Sequence, residues 1–189
     1  MEKVNEDGNK LETKEMKTKP LTFLLALTFL FLFSGSVYGQ EEVKKEYWDN
    51  GKLRHETHYK DGEKDGLDTY LLDTGKKGRE THFKNGKKDG LETYWYKNGK
   101  KNQENHYKDG EKNGLESRWR ENGSKHYERH YKDGERDGLY TEWDEGTGRK
   151  KIERIYKDGK QNGLETMWHY SGKKEYARNY KYGELDGLE

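Results

Sequence analysis

Hydrophobic and polar side chains alternate with a period of two over short segments of the chain. In "LETYWY", Leu91, Thr93 and Trp95 fall on one side while Glu92, Tyr94 and Tyr96 fall on the other; in "QENHY", Gln103, Asn105 and Tyr107 oppose Glu104 and His106. Such alternation marks strands, whose successive side chains point to opposite faces. The segments are too short for stable isolated helices and are rich in Thr, Tyr and Trp, which favour strands.

Glycine preceded by Asn or Asp separates these segments. The stretch "HYKDGEKDGLDTY" (His58–Tyr70) holds two Asp-Gly pairs, and close variants of it return along the chain. Aligned on Gly-Leu, they place Gly66, Gly90, Gly114, Gly138, Gly163 and Gly187 in one column with a period of 24, shifted once by an insertion near "EGTGR" (Glu145–Arg149). A second column runs from Gly62 to Gly183, and a third from Gly51 through Gly148 (or Gly146) to Gly172. Asn-Gly and Asp-Gly between β-prone runs signal hairpins because both residues tolerate positive φ, so the pairs read as turns. One hairpin is not stable alone, and neighbours must stack. The predicted fold is therefore all-β: an elongated single-layer antiparallel sheet of about six tandem 24-residue hairpins. Each unit should advance roughly 9.5 Å, at about 4.8 Å per strand. The only proline is Pro20, so no ladder donor is lost in the array.

Composition makes the core the difficult question, because 40% of residues are charged and only 28% hydrophobic. Such chains often cannot bury enough surface to offset chain entropy. Large aromatics at fixed places argue for folding. Three columns are expected to be buried: leucine (Leu67 to Leu188), tryptophan (Tyr47, Leu71, Trp95, Trp119, Trp143, Trp168) and tyrosine (Tyr59, Phe83, Tyr107, Tyr131, Tyr156, Tyr180). Carboxylates recurring every 24 residues are expected to form a solvated face. Net charge is +1, without the basic excess of a nucleic-acid binder, and the absence of cysteine excludes disulfides.

The apolar run "LTFLLALTFLFLF" (Leu21–Phe33) is too short to span a bilayer. Lys17 and Lys19 precede it and "SGSVYGQ" follows, which is a signal-peptide layout over residues 1–39, with Met16 a candidate true start. The repeat array then occupies 40–189 of an exported chain, periplasmic, on the cell surface or extracellular. Gly187, Leu188 and Glu189 read as the start of a further unit, leaving either a fragment or an edge open to self-association.

The unit "Y-K-[DN]-G-x-x-[DN]-G-L-x-T-x-W-x-x-x-G-K", present from about Glu46 to Glu189, resembles the MORN-repeat variant family, especially its bacterial branch labelled YwqK-family antitoxin. The resemblance implies a sheet of consecutive hairpins in which Trp95, Tyr107, Gly110 and Gly114 serve the fold, and implies no catalytic residues.

Candidate chemistry is sparse. His58, His82, His106 and His130 form a column, but equivalent positions lie roughly 9.5 Å apart, too far to share one zinc, and no metal or cofactor is expected. "EGTGRK" lacks the ending of a phosphate loop, and Asn122 in "NGS" reads as a turn. The candidate partner-binding or core residues are Trp95, Trp119, Trp143, Trp168, Tyr107 and Tyr131. The expected role is a non-enzymatic protein-interaction scaffold. Envelope-polysaccharide recognition and antitoxin or immunity-type binding are the alternatives, while near-zero net charge argues against membrane contact.

Overall fold

The computed structural model describes residues 39–187. Apart from Gly39, the proposed leader lies outside the described residues, as do Leu188 and Glu189. The described residues form one antiparallel sheet of 14 strands and contain no helix. In chain order the strands are β1 (Glu41–Tyr47), β2 (Leu53–Lys60), β3 (Glu63–Leu71), β4 (Lys77–Lys84), β5 (Lys87–Trp95), β6 (Lys101–Lys108), β7 (Glu111–Trp119), β8 (Lys125–Lys132), β9 (Glu135–Trp143), β10 (Lys150–Lys157), β11 (Lys160–Gln161), β12 (Gly163–Trp168), β13 (Lys174–Lys181) and β14 (Glu184–Leu185). Spatial order follows sequence order, with β11 and β12 both pairing β10. Six hairpin units result, β1–β2 through β11/β12–β13, each two strands wide as the 24-residue period predicts.

The two Asp-Gly pairs of a unit do different jobs, which corrects the reading of both as turns. The first pair is a two-residue turn: Asp109 and Gly110, at φ 51° and 95°, link Lys108 to Glu111 in the left-handed conformation of a type I′ hairpin. The second pair lies inside a strand as a bulge. Pairing passes from Thr81↔Glu92 to Phe83↔Lys88, so β5 advances four residues while β4 advances two. Gly90 carries the distortion at φ 106°, and a Cβ there would come within 3.2 Å of the His82 Cβ. Both conditions call for glycine.

The bulge also couples neighbouring units. The turn amide of Gly110 donates to the Lys88 carbonyl at 2.8 Å, and the Asp109 amide donates to the Asp89 carboxylate at 3.2 Å. At the opposite edge, Trp48 Nε1 donates to the Leu71 carbonyl at 3.1 Å and the Tyr96 hydroxyl to the Trp119 carbonyl at 2.8 Å. Both hairpin ends are thus tied to the next unit, as stacked repeats require. The inserted residue is absorbed in a longer loop after β9, where the Asp144 carboxylate accepts bonds from the Thr147 amide and hydroxyl, each at 2.8 Å, and Gly148 takes the positive φ.

The core is not the expected one. Among the described residues Ile152 is the sole buried hydrophobic, whereas Thr57, Asp68, Thr81, Glu92, Thr93, Asn105, Glu116, Ser117, Thr141, Glu165 and Thr166 are all buried. Trp95, Trp119, Trp143 and Trp168 are half-buried, and Leu139 and Leu164 are 42% and 47% exposed. A single layer has no second sheet to cover it, so burial comes only from neighbours on the same face. Short or polar side chains at mid-strand are roofed by the rings and alkyl stems beside them, and the large residues doing the roofing stay partly wet.

Candidate functional site

The two faces carry different chemistry. On the tryptophan face, Trp95, Trp119, Trp143 and Trp168 lie opposite Lys101, Lys125, Lys150 and Lys174. Lysines also cover the rings: Lys77 sits 5.5 Å from the Trp95 ring centre, Lys101 5.8 Å from Trp119 and Lys125 5.2 Å from Trp143. The same lysines pair with Glu80, Glu104 and Glu128. Those glutamates alternate across the strands with Thr93, Ser117 and Thr141 in one mid-sheet row. Beside it runs the histidine column, with roles set by the bulges: Nδ1–H of His82, His106 and His130 donates to the carbonyls of Leu91, Leu115 and Leu139 at 2.9, 2.7 and 3.0 Å. These imidazoles staple bulges.

Tyr107 and Tyr131 lie on the opposite, tyrosine face, so the six candidate aromatics do not form one surface. Lys88 lies 4.7 Å from the Tyr107 ring centre and Lys112 5.0 Å from Tyr131. The middle row of this face holds Asp68, Glu92, Glu116 and Glu165, all buried, which overturns the expectation of a solvated carboxylate face. Each is surrounded by donors. Glu92 accepts from Lys88 at 2.7 Å, Asn105 at 3.1 Å and Thr81 at 3.3 Å. Glu116 accepts from Lys112 at 2.5 Å, Arg129 at 2.7 Å and the Tyr127 hydroxyl at 3.0 Å. Burial would raise the Glu116 carboxyl, but the bonds and charges of Arg129 and Lys112 outweigh it and hold it below the usual carboxylate range. Burial and Glu92 together push the Tyr107 phenol above its usual range.

These carboxylates were the functional-looking groups that sequence reasoning missed. A signal for them exists: Lys64/Asp68, Lys88/Glu92 and Lys112/Glu116 are each four residues apart. Four residues of regular strand span about 13 Å, so the spacing looks unproductive until the intervening glycine is known to be a bulge that folds the two together.

The fifth unit, β9–β10, departs from this scheme. Tyr140 occupies the middle-row position and the carboxylate has moved two residues outward to Glu142, where Lys151 pairs with it at 3.0 Å and the Tyr140 hydroxyl donates to it at 2.9 Å. Beside it the longer loop helps shape a hollow of about 470 Å³ lined by Tyr96, Arg120, His126, Glu142, Trp143 and Lys151, among others. Burial, then the Arg120 charge, lowers the His126 pKa. The Tyr140 side chain is flanked across the strands by Arg129 and Arg154. Tyrosine and arginine therefore crowd this part of the face: Tyr127, Arg129, Tyr131, Arg136, Tyr140, Arg154 and Tyr156. Among the described residues no group of three or more acidic or histidine side chains is placed to hold a metal ion.

Three stretches match the model of the MORN repeat variant: residues 43–61, 88–109 and 112–133. Each match spans most of one strand, the loop, the return strand and the aspartate that opens the next turn. No curated protein matches the chain.

Proposed function

We propose that the protein is an exported, non-enzymatic scaffold that binds a protein partner through the tyrosine face of its sheet. The observation that carries this reading is the concentration of Tyr and Arg around β8–β10 on a sheet face that the described residues leave uncovered. Tyr and Arg are the residues that dominate binding energy at protein interfaces, because they bury large areas with few freely rotating bonds or with fixed donor geometry. The likeness of three hairpins to MORN repeat variants supports the general class, since such repeats serve as interaction modules. An antitoxin-like role is the special case in which the partner is a toxin. The test is affinity capture with the full chain, comparing wild type with Arg118→Ser/Arg136→Ser on the tyrosine face, where Arg118 lies across from Tyr127, and Lys101→Ser/Lys125→Ser on the tryptophan face. The reading expects a stoichiometric partner that only the first variant loses. Loss with the second variant alone would move the site to the other face, and a chain that captures nothing would end the scaffold reading.

One observation favours polysaccharide as a second reading. Trp168 borders a hollow of about 170 Å³ whose wall includes Met167, Tyr170, Arg149 and Glu175, a ring floor with polar groups at its edge. Quenching or a shift of tryptophan fluorescence with envelope glycans, lost in Trp168→Ala, is the result this reading requires.

A further inference from the structure

We infer that the fifth unit, whose middle row lacks the carboxylate of its neighbours, receives an acidic side chain, Asp or Glu, of a protein partner. The inference rests on the scaffold reading above and names the chemistry of the contact. Comparison among units shows what is missing. In the second, third and fourth units a lysine four residues upstream meets the middle-row carboxylate: Lys64–Asp68 at 3.5 Å, Lys88–Glu92 at 2.7 Å and Lys112–Glu116 at 2.5 Å. In the fifth unit the upstream cation is Arg136 and the middle-row residue is Tyr140. Among the described residues Arg136 has no ion pair; it lies over the Tyr156 ring, 4.9 Å from its centre.

The neighbours add to the imbalance. Arg129 and Arg154 flank Tyr140 on the adjacent strands, about 4.8 Å away on each side. Arg129 pairs with Glu116 at 2.7 Å, and Arg154 pairs with Glu165 while lying 5.9 Å from the Tyr140 ring centre. A guanidinium carries five N–H donors, and these pairings do not use them all: Arg129 Nε is buried without a hydrogen-bond partner. Arg129, Arg136 and Arg154 thus lie on three successive strands of one face, around a position where the second, third, fourth and sixth units supply a carboxylate and this one supplies Tyr140. The displaced Glu142 does not supply it, being held by Lys151 nearer the loop.

The chemistry selects a monocarboxylate carried on a polypeptide. Planar guanidinium donors match a carboxylate in a two-bond geometry. Glu116, Glu142 and Glu165 remain nearby, and they repel a phosphate dianion more strongly than a single negative charge. The surrounding rings of Tyr131, Tyr140 and Tyr156 offer the aromatic wall against which the backbone bearing that carboxylate would pack.

The test uses the full chain and a capped octapeptide of alternating Glu and Ala, followed through the arginine Nε–H NMR signals. Its controls are the Gln counterpart and inorganic phosphate. Arg136→Gln removes an exposed donor that has no ion pair and lies over the Tyr156 ring, and Tyr140→Glu/Glu142→Tyr restores the order seen at Glu92 and Tyr94, filling the site from within. The expected result is binding of the Glu peptide and not of the Gln peptide, roughly five- to ten-fold weaker in Arg136→Gln and abolished in the double variant. Equal binding by all three proteins overturns the inference, and so does binding of phosphate with no response to the peptide. If a captured partner is retained equally by the double variant, the inference fails while the scaffold reading stands; absence of any partner strikes the scaffold reading alone.

Discussion

The two faces of this sheet solve the same problem differently. On the tryptophan face, the glutamates of the middle row are partly exposed and share lysines with the rings; Glu104, for example, keeps 18% of its side-chain surface and its partner Lys101 keeps 52%. On the tyrosine face the equivalent row is sealed, with Glu116 at 1% beside Arg129 at 26% and Lys112 at 28%. Ion pairs on the first face are exchangeable with water, while those on the second stand in for a hydrophobic core. A one-layer sheet with few aliphatics can stay folded only because one of its faces dries out its charges in matched groups.

The largest effect should come from breaking such a group. Glu116→Gln leaves Arg129 and Lys112 without their counter-charge under the Tyr127 and Tyr131 rings, and a loss of about 3 kcal/mol in urea unfolding is expected. Acid should do the same across the sheet. Asp68, Glu92, Glu116 and Glu165 all have lowered pKa values, burial opposing but donors prevailing. Groups with a depressed folded pKa contribute stability that is present above the unfolded value, about 4, and lost as pH falls through the folded one. Urea midpoints should therefore change little between pH 7 and 5 and drop steeply towards pH 3. A flat profile to pH 3 would mean that folding does not lower the carboxyl pKa values, and stability rising on acidification would mean that the buried row is not ionised.

Next in size is the bulge that brings each lysine to its carboxylate. Gly114 sits at φ 110° with a virtual Cβ 3.2 Å from the His106 Cβ, so Gly114→Ala combines backbone strain with a close contact and should cost about 2 kcal/mol. Hydrogen exchange should show the opening at Lys112–Arg118 and the strands either side, since the bulge also anchors the next turn. Uniform exchange along the chain would argue that the bulge is not what joins the units.

Much of this fold was legible from glycine spacing and period-two alternation, because turns and strands declare themselves locally. The units, their strand count and the insertion loop follow from Gly51, Gly62 and their repeats. The core was not legible, for a physical reason: burial in a single layer depends on which side chains lie beside one another across strands, and the bulge at Gly90 or Gly114 resets that register. Without it, Lys112 and Glu116 read as distant solvent-facing charges and Trp119 as core. The tyrosine–arginine cluster was half visible, Tyr131 having been singled out while Arg129, Arg136 and Arg154 blended into the alternating charge of the chain. Only the comparison of Tyr140 with Glu92 and Glu116 in three dimensions sets them apart.

Trp119→Ala probes whether the tryptophan face holds the fold at all. The ring is half-buried under Lys101, and its removal should cost about 1.5 kcal/mol, less than a fully buried aromatic, with the circular dichroism of the sheet retained. Complete unfolding would restore tryptophan to the core and remove the contrast between the faces.

The smallest change sharpens that contrast most directly. Glu104→Gln removes the partner of Lys101 on the tryptophan face, at the position in the repeat where the opposite surface of the strand pairs with Glu116 through Asn105. Because water reaches Lys101 and replaces the lost carboxylate, the expected cost is about 0.5 kcal/mol or less, and it should vanish in high salt. Set beside Glu116→Gln under the same conditions, the two variants report what one charge is worth on each side of a sheet one residue thick. A Glu104→Gln cost equal to that of Glu116→Gln would show that the tryptophan face excludes water as fully as the other, and the partition of labour between the faces would have to be abandoned.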